Sequence, residues 1–247
     1  MFTGWENTVE PSTLRSILVA SCLLLAAPVG LTAICVPAAA ETFEDGFAAY
    51  RQGNYAAALQ LWRPLADQGN TAAQYNLGIM HEYGRGMKQD YAEALRWYRK
   101  AADQNYAKAQ INLGTMYENG EGVKRDYAEA LRWYRMAAEQ GAAIAQNLLG
   151  VNHCTDPART KQDYVEAVKW FRKAADQGYA NAQFNLGSLY EGGLGIDRDY
   201  VQAHMWFDLA SSQGDNNAAR KRDKIAKHMT LAQITEAQKL AREWKRK

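Results

Sequence analysis

The chain contains 247 residues, 47% of them hydrophobic, and carries a formal net charge of +2 at neutral pH. Only Cys154 lies beyond residue 40, which excludes an intramolecular disulfide framework once the N-terminal apolar segment is removed. The small net charge hides an acidic body and a basic end. Residues 216–247 contain ten Lys and Arg against three Asp and Glu, whereas residues 41–215 contain 18 against 22.

Residues 1–40 have the pattern of a secretory signal peptide. An apolar run from Ile17 to Val36 precedes small residues at Ala38 and Ala40, which fit a signal-peptidase site. We expect cleavage after Ala40 and a periplasmic or secreted location. The alternative is an uncleaved N-terminal membrane anchor, because the apolar run approaches the roughly 20 residues that span a bilayer.

Residues 71–215 form four similar units of 36 or 37 residues each. The units are 71–106, 107–142, 143–179 and 180–215. A fixed period of this size is typical of a solenoid, in which each unit buries its apolar face only against its neighbours. Apolar residues at helical spacing predict two helices in each unit, which we name helix A and helix B. The sequence therefore predicts an all-α solenoid.

Helix B begins at a matching place in every unit. Asp126 followed three residues later by Glu129 is a capping box, in which the Asp side chain accepts a hydrogen bond from the first turn and the Glu side chain accepts one from the cap N–H. The equivalent pairs are Asp90/Glu93, Asp163/Glu166 and Asp199/Gln202. We therefore predict that all four B helices start at this aspartate.

Glycines mark the ends of helices and one close contact. Left-handed backbone is needed after helix B, where the residues are Asn105, Gly141, Gly178 and Gly214. Glycine also recurs inside helix A despite a cost of about 1 kcal/mol relative to alanine, which indicates the close approach of another helix. These helix A glycines are Gly78, Gly114, Gly150 and Gly187.

One motif combines these features in the second unit. Its residues are Ala109, Gln110, Leu113, Gly114, Tyr117, Gly120, Gly122, Asp126, Tyr127, Ala130, Trp133, Tyr134, Ala137, Ala138, Gln140 and Gly141. The motif resembles the Sel-one-like repeat (SLR), a relative of the tetratricopeptide repeat with a longer loop between its helices. The resemblance implies stacked antiparallel helix pairs, a right-handed superhelix and a concave face that binds other proteins.

Residues 41–70 precede the four units and lack the longer loop. They resemble a degenerate tetratricopeptide unit, in which Trp62 matches Trp97 at a spacing of 35 residues. We expect this unit to cap the amino end of the array, because the terminal units of a solenoid have a neighbour on one side only.

The third unit, 143–179, differs from the others between its two helices. Its predicted loop, 151–161, is one residue longer and lacks the Gly-x-Gly motif. A divergent surface loop explains this difference, since insertions in loops cost little. The alternative is a partner-contacting loop with an exposed Cys154 thiol. Such a thiol could link two molecules in an oxidising compartment, although we expect a monomer.

Residues 216–247 predict two basic helices that cap the carboxyl end. The first covers residues 218–229, and Thr230 with Gln233 forms a capping box that begins the second. An apolar stripe on the second helix should cover the exposed end of the last unit. The stripe consists of Leu231, Ile234, Ala237, Leu240, Ala241 and Trp244.

Rings recur at fixed positions and are interpreted as core residues. The tryptophans at one phase of helix B are Trp97, Trp133, Trp170 and Trp206. Large rings at this phase fill the space between stacked helices, which favours packing over a ligand-binding platform. His81 and His153 stand where other units have tyrosine and are interpreted as substitute rings. No metal-ligand spacing, phosphate-binding loop or nucleophile motif occurs, so we predict no catalytic, metal or cofactor-binding residues.

The variable positions of helix A form the predicted partner-binding surface. If helix A lines the concave face, as in tetratricopeptide relatives, the residues outside its packing phase face the groove. They are Tyr75, Ile79, Glu82, Lys108, Ile111, Thr115, Glu118, Ile144, Asn147, Val151, Cys154, Asn181, Phe184, Ser188 and Glu191. Their mixture of aromatic, aliphatic and acidic side chains suits an extended or helical peptide with some basic character.

We therefore predict a non-catalytic adaptor or regulator of the bacterial cell envelope that binds a protein or peptide. The first alternative is an enzyme that binds or hydrolyses β-lactams, as in cysteine-rich SLR proteins, but the paired cysteines of that branch are absent here. The second alternative is binding to anionic membrane surfaces through the basic C-terminal end. Export makes nucleic acid an unsuitable partner.

Overall fold

The computed structural model describes residues 42–155 and 160–245. The expected signal segment lies outside these residues, and so does the middle of the loop in the third unit. The described ranges contain helices and no β-strand. None of these helices combines the length and the apolar character that crossing a membrane requires.

Twelve helices follow one another in the described residues. They are α1 (Phe43–Arg51), α2 (Tyr55–Asp67), α3 (Thr71–Tyr83), α4 (Tyr91–Asp103), α5 (Ala107–Asn119), α6 (Tyr127–Glu139), α7 (Ala143–Thr155), α8 (Lys161–Asp176), α9 (Ala180–Gly192), α10 (Tyr200–Ser211), α11 (Asn216–Ala226) and α12 (Leu231–Trp244). Helices α3, α5, α7 and α9 are the A helices, and α4, α6, α8 and α10 are the B helices. Each A helix packs against helix B of its own unit and against the helix that precedes it. This stacking confirms the predicted all-α solenoid.

The core runs along the stack instead of filling one centre. Tyr98 from the first unit forms one buried cluster with Leu113, Met116 and Trp133 from the second unit. Each unit therefore buries its apolar face with the help of the next one, as expected for a solenoid. The core interpretation of the helix B tryptophans is confirmed for three of them, which are 2–3% exposed, while Trp170 is half-buried.

The helix A glycines lie against aromatic rings, as their sequence position predicts. A β-carbon on Gly78 would stand 2.5 Å from the ring of Tyr98, and the other three units repeat this contact. In the N-terminal pair, a β-carbon on Gly46 would stand 2.4 Å from Nε1 of Trp62. Trp62 therefore takes the place of Tyr98, so its expected match with Trp97 is wrong.

A buried glutamine in each A helix connects three helices. Nε2 of Gln110 donates to the carbonyl oxygen of Ala102 at 3.1 Å, and its Oε1 accepts from Nε2 of Gln140 at 2.7 Å. Gln74, Gln146 and Gln183 make the same two bonds in the other units. Because both ends of the buried amide are satisfied, the bond pair fixes the spacing between neighbouring helices without an orphaned polar group.

The starts of the B helices follow the prediction only in part. Asp126 accepts a hydrogen bond from the N–H of Glu129, as predicted for a cap. The reciprocal half of the predicted box is wrong, because Oε1 of Glu129 instead accepts from Arg132 at 2.8 Å and from Nε1 of Trp133 at 2.9 Å. A charged donor one turn further along the helix competes effectively for this carboxylate.

The third unit departs from the predicted boundaries at both of its helices. Helix α7 continues to Thr155, so residues 151–155 are helical and do not belong to the loop. Helix α8 is capped by Thr160 in a reciprocal capping box with Asp163, which makes Asp163 its third residue and not its cap. Cys154 is half-buried against the apolar cluster that contains Phe171. Cys154 therefore lies within helix α7, and the alternative of an exposed thiol in the loop is wrong.

Helices α11 and α12 pack on the last B helix, α10, and cap the carboxyl end. Ala237 and Ala241 are buried, and the ring of Trp244 meets that of Trp206 edge-on with centroids 6.1 Å apart. Leu231 is 80% exposed, so its assignment to the covering stripe is wrong. It is the first residue of α12, where the helix has not yet come within reach of the core.

Candidate functional site

The predicted groove residues lie along successive A helices, and we name this set the A-row. Lys108, Ile144 and Asn181 are exposed, Asn147 is buried, and the remaining members are half-buried. Half-burial is what a binding surface on a rigid element requires, since such side chains are held in place and still reach solvent.

The structure corrects the prediction that Asn147 faces the groove. Its side chain is 7% exposed, and its Oδ1 accepts a hydrogen bond from Nδ2 of Asn185 at 3.0 Å. This bond joins helix α7 to helix α9, so Asn147 connects two A helices and does not face a ligand.

Aromatic rings anchor the two ends of the A-row. Tyr75 lies between Tyr98 and Tyr106, with ring centroids 5.7 Å and 5.2 Å away. Burial raises the pKa of Tyr75 to about 12, so the phenol is neutral at physiological pH. At the other end, the ring of Phe184 lies 5.7 Å from that of Phe207. These rigid rings offer apolar contact area at little cost in side-chain entropy.

The glutamates of the A-row are held by fixed donors. The hydroxyl of Tyr98 donates to Oε2 of Glu82 at 2.5 Å, and that of Tyr134 donates to Oε2 of Glu118 at 2.7 Å. Burial raises the pKa of both phenols, and the neighbouring carboxylates raise it further, so both hydroxyls keep their protons. These carboxylates are therefore oriented in advance and keep further lone pairs for a partner.

Two hydroxyl groups of the A-row are turned towards their own helices. Oγ1 of Thr115 donates to the carbonyl oxygen of Ile111 at 3.1 Å, and Oγ of Ser188 donates to that of Phe184 at 3.0 Å. Their donors are already used within the helix, so these residues offer a partner mainly acceptor capacity and contact area.

Helix α11 adds a basic surface that the sequence analysis did not connect with helix A. Arg220, Lys221 and Lys224 line a cavity of about 330 Å³ together with Phe184 and Asn217. Nζ of Lys221 donates to Oε2 of Glu191 at 2.6 Å. The basic composition of residues 216–247 indicated a charged surface. Because α11 does not belong to the repeat, the sequence period could not predict which residues of helix A it would contact.

A second cavity of about 320 Å³ brings together the A-row members Val151, Cys154 and Ser188 with Tyr164 and Leu194. It lies between helices α7, α8 and α9. Its lining is largely apolar, so it suits contact with an apolar side chain better than polar chemistry.

The described residues contain no group of three or more His, Cys, Asp and Glu side chains with metal-binding geometry. Nδ1 of His153 lies 3.6 Å from Oδ1 of Asp163, which joins the two helices of the third unit.

The comparisons with known proteins agree with this architecture. The Sel1 repeat model matches residues 39–70, 71–106, 107–141, 143–179 and 180–215. The match at 39–70 assigns the N-terminal pair to the same family as the four full units. A search of curated proteins finds no significant match.

Several solved structures share the fold. A Sel1 repeat protein from Oxalobacter formigenes is 31% identical, covers 80% of this chain and 85% of its own, and gives a TM-score of 0.70. The protective antigen c5321 of uropathogenic Escherichia coli, described as displaying an SLR fold, is 32% identical over 82% of this chain with a TM-score of 0.53. The present chain spans only 52% of that antigen.

An immunity protein of Pseudomonas aeruginosa is 21% identical, covers 85% of this chain and 88% of its own, and has a TM-score of 0.51, which shows the shared fold alone.

Sel1 repeat proteins are commonly non-enzymatic scaffolds for interactions between proteins. With the repeat model matched along most of its length and two relatives above 30% identity, this chain belongs to the Sel1 repeat family.

Proposed function

We propose that this protein is a non-catalytic scaffold that binds one segment of a partner protein along the A-row. The observation that carries the proposal is the series of solvent-accessible apolar side chains on successive A helices, at positions whose residue type differs between units. This series comprises Tyr75, Ile111, Ile144 and Phe184. A surface that differs from unit to unit suits a partner without internal repetition.

The charges along the A-row favour one direction for the partner segment. Glu82 and Glu118 lie in the first two units, whereas Arg220 and Lys224 lie beside Phe184 at the opposite end. A partner with basic residues towards the first units and acidic residues towards α11 would pair with both ends. Such complementarity mainly raises association rate and selects orientation.

We propose further that the protein acts outside the cytoplasm, in the periplasm or after secretion. The apolar run followed by Ala38 and Ala40 supports this location. Intact-mass analysis of the protein from its native host gives a direct test, since cleavage leaves Glu41 as the first residue. A full-length chain in the membrane fraction would instead support the uncleaved anchor.

Quantitative co-purification from the host envelope tests the binding proposal. We expect a partner to be retained by wild type and lost in the double variant Ile111→Glu with Phe184→Glu. The matched control is Tyr127→Glu with Leu231→Glu, which places the same charges on residues that are 47% and 80% exposed and lie off the A-row. All three proteins must show the same helicity by circular dichroism.

Three results would overturn the proposal. Equal recovery of the same partner by wild type and the A-row variant would move binding away from this surface. Turnover of a β-lactam by the purified protein would replace the scaffold with an enzyme. Binding to anionic vesicles that requires Arg220 and Lys224, without any protein partner, would favour a membrane-surface role.

A further inference from the structure

The first unit contains a histidine at a position that is occupied by tyrosine in the second and fourth units. Tyr117 accepts a hydrogen bond from Arg99 of the preceding helix, and Tyr190 accepts one from Arg172. In the first unit, His81 stands in this place and Arg63 is the arginine of the preceding helix. Arg63 has no such hydroxyl acceptor, and it makes no ion pair within residues 42–155 and 160–245.

A cavity of about 360 Å³ lies beside His81, between α2, α3 and α4. It is lined by Arg63, Asp67, His81, Glu93, Arg96, Trp97 and Lys100. The cavity differs from the A-row in every residue, so an inference about it is independent of the proposed scaffold function.

Buried polar atoms in this lining lack partners. Trp97 is only 3% exposed, yet its indole Nε1–H meets no acceptor in the described residues. Both ring nitrogens of His81 are shielded from solvent and are likewise without a partner there. In the second unit, the equivalent Nε1–H of Trp133 donates to Glu129 at 2.9 Å. An unpaired buried N–H costs free energy, which a ligand with oxygen acceptors can recover.

Two cationic side chains flank the same indole. Nζ of Lys100 lies 4.0 Å from the ring centroid of Trp97, and the guanidinium carbon of Arg63 lies 5.5 Å from it. Arg96 is already paired with Glu93 at 2.6 Å. With Asp67 also in the lining, three cations face two carboxylates, which leaves an excess of one positive charge.

We propose that this cavity binds a single carboxylate group, carried either by a small molecule or by an acidic side chain of a partner protein. Arg63 and Lys100 supply the charged donors, and the indole of Trp97 supplies a buried N–H donor. A monoanion matches the excess of one positive charge, whereas a phosphate dianion would meet the repulsion of Asp67 and Glu93. Carboxylate recognition by a guanidinium group is a strong, charge-assisted interaction.

Nuclear magnetic resonance of the indole N–H of Trp97 tests this site, with the resonance assigned by Trp97→Phe. The first titrant is propionate, with chloride used to hold the ionic strength constant. The second is a pair of short, end-capped peptides that differ by one residue, Glu in one and Gln in the other. We expect a saturable shift of the Trp97 resonance with propionate or with the Glu peptide, and none with the Gln peptide.

Two variants separate binding from folding. His81→Tyr supplies the ring found in the second unit, fills the cavity, and should abolish the shift without lowering the melting temperature. Arg63→Gln should weaken binding about tenfold, since it removes one charged hydrogen bond. Tighter binding of the Glu peptide than of propionate would identify a partner side chain as the source, and the reverse would identify a small carboxylate. Equal shifts in wild type and both variants, or no saturation with either titrant, would overturn the proposal.

Discussion

The ring of Tyr134 lies directly against Gly114, because a β-carbon at that glycine would stand 2.6 Å from Cε1 of the tyrosine. It would also stand 3.1 Å from the carbonyl oxygen of Ala130. These distances leave no room for a methyl group unless the ring or a helix moves. The contact recurs in every full unit, so it sets how closely helix A approaches helix B along the array.

Gly114→Ala should therefore destabilise the protein by about 1–3 kcal/mol, the usual cost of overpacking a tight core. Alanine is the better helix former by about 1 kcal/mol, so any loss of stability means that the steric term outweighs the propensity term. The urea midpoint measures this effect. Combining Gly114→Ala with Tyr134→Leu should cost less than the sum of the two single changes, and strict additivity would refute the contact.

The buried glutamine of the second unit gives a prediction about polar satisfaction. Gln110→Leu removes both of its bonds and leaves the carbonyl oxygen of Ala102 without this donor, so we expect a loss of about 2 kcal/mol. Gln140→Ala leaves the buried Oε1 of Gln110 without its donor and should also cost about 1–2 kcal/mol. Chemical denaturation of both variants measures these losses. Unchanged stability in both variants would mean that this pair of bonds contributes nothing to folding.

Stability should fall as the solution is acidified below about pH 7, because of a buried histidine. His204 is 3% exposed, and burial lowers its pKa below the usual 6.5, an effect that Arg222 reinforces while Asp208 and Asp223 oppose it. The unfolded chain therefore binds a proton that the folded chain does not, and stability is lost as the pH falls through 6.5.

Thermal unfolding at several pH values checks this sign. His204→Phe keeps a ring in the same place and removes the titration, so its melting temperature should fall less steeply with acidification than that of wild type. Burial also lowers the pKa of His81, which leaves part of the slope in the variant. Asp163 has a lowered pKa as well, but its contribution is lost only below about pH 4. Identical slopes for variant and wild type would exclude His204 as a source.

The C-terminal cap provides a matched pair of substitutions on one helix. Trp244→Ala removes the ring that meets Trp206 and should destabilise the last unit by about 2–3 kcal/mol. Leu231→Ala, at a residue that is 80% exposed, should change stability by less than about 0.5 kcal/mol. Hydrogen exchange should show the loss first in α10 and α12. A large effect of Leu231→Ala would mean that this side chain makes contacts absent from the structure.

Much of the architecture could be predicted from the sequence because the interactions in a solenoid are local. The period set the units, and the glycine inside helix A predicted a close contact whose partner, the aromatic ring of helix B, the structure then supplied. Gly141 and Asn105 have the positive φ values of 91° and 63° that their places after helix B require. Each of these features depends on one unit and its immediate neighbour.

The wrong predictions concern contacts between residues that occupy different positions in their units. Asn147 was assigned to the groove by its phase, but its bond to Asn185 buries it between two A helices. The position of a residue in the helical repeat predicts the direction of its side chain. It does not predict which residue of the next unit lies opposite that side chain.

The repeat, the helix pairs, the family and the rows of candidate contact residues follow from the amino-acid sequence alone. The folded structure was needed to show that the basic helix α11 lies beside Phe184 and that His81, Trp97 and Arg63 line one cavity. The difference arises because a periodic pattern specifies only the contacts that every unit repeats. Some contacts occur only once, at an end of the array or where one unit has a different ring. They depend on two residues that do not recur together in the other units, so the repeat pattern cannot predict them.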